Sequence, residues 1–284
     1  MPQVAIITDS DSSLPPALAL KYNIPQVPIT IHFDEESYTT NVDINDFELF
    51  ELIDRKNKLP TTSAPPPGAF QKAFQDAFES GAKSIICMAV SSKVSATYAA
   101  ALTAAEMFPD KDITVIDTLN ISMGQGIMVL EAAIKASQNA SKEEILKTID
   151  NVRNRLHVFA VLPTLKYLAM GGRVGKLAAG FADAFNIKPI LTVKEGKLDL
   201  LEKVRTQKKA ETRLIELLKE SVQNLKIEKI AMIHVNNIAG AQNLFAMMKE
   251  NFDCPDDVIF AEFTAGLSVH TGSGVVGYAI LTET

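Results

Sequence analysis

The sequence predicts an α/β protein with largely parallel sheets flanked by helices. Three observations predict it. Short apolar, β-branched runs alternate with longer stretches of helical period, the pattern of helices covering the faces of a sheet. Several of these runs end in glycine or small hydroxyl clusters, where α/β proteins place ligands. The chain of 284 residues also exceeds the roughly 100–200 residues of a usual single core, so two lobes or one elaborated α/β unit are expected.

The first group of strands reads as QVAIIT at 3–8, QVPITI at 26–31, SIICMAV at 84–90 and DITVID at 112–117. Between them PTTSAPPPG at 60–68 reads as a loop stiffened by Pro65, Pro66 and Pro67. A helix follows Gly68, with Phe70, Ala73, Phe74, Ala77 and Phe78 on one stripe that faces the core. The charged stretch 141–155 is a surface helix, with Ser141 as N-cap and Glu144 completing a capping box, and it closes the first lobe near 155. The second group comprises runs at 156–162, 189–193, 229–234, 258–263 and 276–281, interrupted by a helix near 207–223 that carries Leu214, Leu217, Leu218 and Val222.

Composition narrows the partners. A net charge of −6 gives no general attraction to nucleic acid or anionic lipid, so a basic function has to be a local patch. No basic segment with an apolar h-region opens the chain, and no run approaches the ~20 apolar residues that span a bilayer. A cytoplasmic protein with at most transient membrane contact is expected. Cys87 and Cys254 lack CxxC spacing, and His32, His157, His234 and His270 lack ligand spacing, so neither metal nor cofactor is expected.

Three polar clusters follow strands: TDSDSSLP at 8–15, SSKVSATY at 91–98 and DTLNISMGQG at 117–126. In the second, Ser91, Ser92, Ser95 and Thr97 stand before an alanine-rich helix. They suit an anion at a helix amino terminus and equally suit capping. Thr61, Thr62 and Ser63 form another hydroxyl cluster beside an apolar helix, and two such clusters point to an amphipathic ligand. Asp9, Asp11 and Asp117 also admit a magnesium-dependent phosphotransferase or phosphatase. A Ser92, His270 and Asp117 hydrolase lacks the GxSxG elbow, and no GxxxxGKS is present for a nucleotide.

Taken in order, these segments resemble the DegV family over nearly the whole chain. The resemblance rests on TDSDSSLP at 8–15, TTSAPPPG at 61–68, SSKVSATY at 91–98 and VIDTLNISMGQG at 115–126. It continues through TLKYLAMGGRVGK at 164–176, IKPILTVKEGKL at 187–198, KVRTQKKA at 203–210 and HTGSGVVG at 270–277. What it implies is a two-lobed protein, not itself an enzyme, that holds one long-chain fatty acid such as palmitate, stearate or oleate in an apolar tunnel between the lobes. An ATP-dependent fatty acid kinase subunit would then phosphorylate the presented carboxylate; a lipid-responsive regulatory protein is the alternative. The resemblance assigns the carboxylate to Thr62 and Ser95, with Ser92 and His270 as neighbours; a carboxylate without a direct Lys or Arg ion pair would be the easier to phosphorylate. It assigns Arg173 and Arg205, from a basic set that includes Lys166, Lys176, Lys188, Lys203, Lys208 and Lys209, to docking the kinase. Ala96, Pro66 and Ser273 stand where the family usually has glycine, serine and proline. Phe159, Phe181, Phe185, Met123 and Met128 read as core, with tunnel lining as the other reading.

Overall fold

The structure, a computed structural model, describes residues 3–173, 187–223 and 225–284. The chain begins with β1 (Val4–Asp9), a 3-10 turn over Ser10–Ser12, α1 (Pro16–Lys21), β2 (Gln26–Val27), β3 (Thr30–Phe33) and β4 (Glu36–Thr39). Next come α2 (Asp46–Lys56), β5 (Thr61–Ser63), α3 (Pro67–Glu79), β6 (Ser84–Ala89), α4 (Thr97–Glu106), β7 (Asp112–Asp117), α5 (Met123–Ser137) and α6 (Lys142–Asn154). The later half contributes β8 (Leu156–Val161), α7 (Lys166–Met170), β9 (Lys188–Lys194), β10 (Lys197–Val204), α8 (Gln207–Val222) and β11 (Ile227–His234). It ends with α9 (Ile238–Lys249), β12 (Ile259–Glu262), α10 (Ala265–Thr271) and β13 (Val276–Thr282).

Strands β2-β1-β6-β7 form a wholly parallel sheet, and every residue of β6 is buried, as expected for a strand covered on both faces. One face packs Ile7, Ile85 and Cys87 against Phe70 and Phe74 of α3 and Ala101 and Ala104 of α4. The other face meets α5, which is buried along most of its length and packs in turn against the second sheet, ordered β10-β9-β8-β13-β11-β12. Helices α8 and α9 cover the far side of that sheet, where Tyr278 stacks at 5.7 Å on Phe159 and donates to the Leu214 carbonyl at 2.7 Å. The order of layers is therefore helix, sheet, helix, sheet, helix. Close approach in the middle depends on glycine: a Cβ on Gly126 of α5 would lie 2.6 Å from the carbonyl oxygen of Ser12.

The α/β class and the parallel, helix-flanked first sheet match the sequence reading. The second sheet differs in one respect, since four of its five pairings are antiparallel and only β11–β12 is parallel. Both of its faces are covered, so its strands are continuous apolar runs whichever way they point, and direction leaves no periodic trace. The run at 26–31 is two strands in two sheets, because Pro28 lacks an N–H and the following Ile29 N–H donates to Ser10 Oγ at 3.0 Å. Thr61–Ser63, expected in a loop, pairs with β3 to give a small antiparallel sheet β4-β3-β5. The Ser141–Glu144 capping box and the buried stripe of α8 are as expected. Phe159, Met123 and Met128 are core residues; Lys176, Phe181 and Phe185 lie outside the described residues.

Candidate functional site

A cavity of about 330 Å³ opens where α10, β5, the loop before α4 and the second sheet converge, within the roughly 300–1,000 Å³ of small-molecule sites. Its walls are mainly aliphatic, with Val158 and Ala160 of β8, Leu191 and Val193 of β9, and Leu267 of α10. Its lining also carries polar groups, among them Thr62, Ser95, His270, Arg173, Asp11 and Ser122.

Thr62 reaches the cavity from β5, where it pairs in register with Ile31 of β3. Helix α10 packs on the same small sheet through Ala265 and Val269, which brings His270 to Thr62. Thr62 Oγ1 and His270 Nε2 lie 3.0 Å apart. Burial, then the positive charge of Arg173, lowers the His270 pKa to about 4, so the imidazole is neutral at ordinary pH and can accept a proton donor or donate to an anion. Gly171 makes room for it, because a Cβ there would sit 2.3 Å from His270 Nδ1.

Ser95 lines the cavity from the turn before α4. Its Oγ lies 2.8 Å from Thr97 Oγ1 and accepts from the Thr97 N–H at 3.3 Å. The N-cap of α4 is Ala96, without a side-chain cap hydrogen bond, so Ser95 does not cap the helix. Ser92 is not brought into the group: its side chain is exposed, it does not line the cavity, and its N–H donates to Asp117 Oδ1 at 3.1 Å. The turn explains this, since Ser91 Oγ is pulled to the Gly196 carbonyl at 2.7 Å and Ser92 is left on the solvent side. Ser92, expected as a carboxylate neighbour, is therefore corrected to a surface residue.

The structure places Arg173 as well. Expected at a docking face, it is half-buried, lines the cavity and donates to the Gly171 carbonyl, and its charge acts on both His270 and Asp11. The cavity lining therefore includes a cation beside the hydroxyls. Arg205 is exposed just beyond β10 and apart from the cavity.

Sequence reasoning treated Asp11 as a cap or metal ligand and passed over Ser122. Asp11 is 7% exposed, and burial followed by the charge of Asp9 raises its pKa well above the carboxylate range, with Arg173 opposing. Asp9 is structural, accepting from the Val90 N–H at 2.8 Å and the Asp11 N–H at 3.0 Å, and burial carries its pKa to about 6. Asp117 accepts from the Ser92 and Leu119 N–H groups. Among the described residues no three His, Cys, Asp or Glu side chains converge on a possible metal position. A Ser92–His270–Asp117 triad is not assembled, because His270 is turned to Thr62.

A layered α/β frame around a mainly aliphatic cavity with polar groups in its lining has the form of a small-molecule site. Residues 3–283 match a family described as uncharacterised protein, DegV family, and the chain belongs to it. A DegV domain-containing protein of Caldanaerobacter subterraneus is 34% identical, with 98% of each chain covered. Among solved structures, a fatty-acid-binding DegV family protein from Thermus thermophilus superposes with a TM-score of 0.92 at 28% identity, over 99% of this chain and 100% of that one. DegV of Bacillus subtilis, a fatty acid binding protein, superposes with a TM-score of 0.86 at 27% identity over the full length of both chains. Among the described residues, no helix is long and apolar enough to cross a membrane.

Proposed function

We propose that this protein binds one long-chain fatty acid between its two lobes and presents the carboxylate to an ATP-dependent fatty acid kinase subunit, which forms the acyl phosphate. The carrying observation is the cavity itself, aliphatic along most of its lining and polar around the Thr62–His270 hydrogen bond. The fatty-acid-binding relatives in Thermus thermophilus and Bacillus subtilis support the same ligand class. Burial of about fifteen methylenes at roughly 0.8 kcal/mol each contributes on the order of 12 kcal/mol before ordering costs, so the tail sets affinity. Hydrogen bonds to a charged group add about 1.5–3 kcal/mol each, which makes Thr62, Ser95 and His270 placement groups for the head. Arg173 supplies the charge that keeps a half-buried carboxylate ionised.

In this reading the protein works in the cytoplasm as a carrier without a catalytic centre or cofactor of its own, and the kinase docks on the exposed side near Arg205. Native mass spectrometry of purified protein tests the binding half; a co-purifying mass of a saturated or monounsaturated fatty acid is expected. The presentation half is tested with Thr62→Ala and Ser95→Ala combined. Acyl phosphate formation by the kinase should fall at least tenfold, with a smaller loss of stearate affinity. Equal losses in both would remove the placement role.

A further inference from the structure

We infer that the cavity is built for a fatty acid with a hydroxyl on its second or third carbon, read by Asp11 and Ser122. The inference rests on the fatty-acid reading and deepens it by naming the ligand class.

Besides His270 Nδ1, whose ring is already placed at Thr62, two buried polar atoms in the lining have no hydrogen-bond partner among the described residues: Asp11 Oδ1 and Ser122 Oγ. Their residues are 7% and 2% exposed. A buried polar atom left unpaired costs free energy, so its place in the cavity lining marks where a ligand's polar atom belongs. The two residues are tied together, the Ser122 N–H donating to the Asp11 carbonyl at 2.9 Å. Ser122 also holds φ 51° and ψ −140°, a backbone region that non-glycine residues rarely adopt and that clusters at ligand sites.

Position along the ligand follows from α10. A Cβ on Gly266 would lie 3.0 Å from Asp11 Oδ1, so Asp11 sits against Gly266, and His270 is four residues further along the same helical face. That separation is one turn, about 5.4 Å. With the carboxylate at Thr62 and His270, Asp11 and Ser122 face the first carbons of the chain rather than the carboxylate itself.

The chemistry of the pair selects a hydroxyl. An ionised Asp11 needs a donor and a protonated one needs an acceptor, and a hydroxyl serves either state while Ser122 Oγ takes the remaining role. An ammonium group is disfavoured by the nearby Arg173 charge, which acts on both Asp11 and His270. A plain acyl chain leaves both atoms unpaired. Sites built to hydrogen-bond a substrate hydroxyl discriminate strongly against the analogue without it.

The test uses the full chain, stripped of lipid, in pairwise competition read by native mass spectrometry. Stearate is set against 2-hydroxystearate, 3-hydroxystearate and 12-hydroxystearate. The 2- or 3-hydroxy acid should be preferred over stearate by about tenfold, and the 12-hydroxy acid should show no such preference. In Asp11→Leu the ratio of hydroxy to plain acid should fall to about one; Ser122→Ala gives the same reading should the buried Asp11 substitution prevent folding. Equal binding of stearate and the 2- and 3-hydroxy acids, an equal preference for the 12-hydroxy acid, or a ratio unmoved by both variants would overturn the inference. Binding of none of the four acids would instead bring down the fatty-acid reading on which it rests.

Discussion

The hydrogen bond between Thr62 and His270 joins side chains 208 positions apart in the chain. Both were expected at the site because they fall in segments that resemble one family. Their meeting was not, since it depends on α10 packing against β3 and β5. Ser92 and Arg173 show the limit most clearly. Ser92 differs from Ser95 only by its place in a turn, and Arg173 lines the cavity while donating to the Gly171 carbonyl. The two arginines now carry different expectations. Arg173→Glu should weaken stearate binding at least tenfold by setting a second carboxylate beside the first, whereas Arg205→Glu should lower kinase coupling and spare the bound lipid. Isothermal titration with stearate and an acyl phosphate assay separate the two outcomes. Equal effects on binding would return both residues to one role.

Elements were legible where periodicity and capping agree, as in α3, α6 and α8, and blurred where burial erases the pattern. Every residue of β13 is buried, so the apolar run reveals a strand without its direction. The small β4-β3-β5 sheet was hidden by its short, half-exposed strands. That sheet, α2 and α10 are joined by a buried polar contact, Ser268 Oγ donating to Asp46 Oδ2 at 2.7 Å. Burial, aided by the charge of Glu262 and opposed by this hydrogen bond, raises the Asp46 pKa to about 7. The folded state therefore favours the neutral acid. The stability this group contributes is complete below its ordinary value near 3.8 and is lost as pH rises through 7. Asp46→Asn should thus gain about 2–4 kcal/mol over the parent at pH 8 and nothing at pH 4. Urea unfolding at the two pH values measures the difference; an equal gain at both would assign the effect to packing.

At the scale of the whole molecule, the proposed function makes a lipid held in the cavity part of the stability of the fold. A ligand that binds only the folded state adds RT ln(1 + [L]/Kd), so delipidated protein should melt several degrees below protein saturated with stearate. Differential scanning fluorimetry before and after delipidation records the shift, and identical melting points would show that the cavity is not occupied in solution. The overall class was legible because alternating strands and helices need no long-range information. The order of layers was not, because it depends on which sheet the buried helix α5 faces.

The six-stranded sheet has its last strand in sequence near its middle. Strand β13 lies between β8 and β11, while the first sheet is completed by residue 117. As the chain leaves the ribosome, the first sheet can pair early, yet β8 has to wait more than a hundred residues for the neighbour that joins it to β11. During that interval β8 and β9 carry an open apolar edge, which makes this half of the molecule the slower to fold and the one that most needs protection from wrong pairing during synthesis.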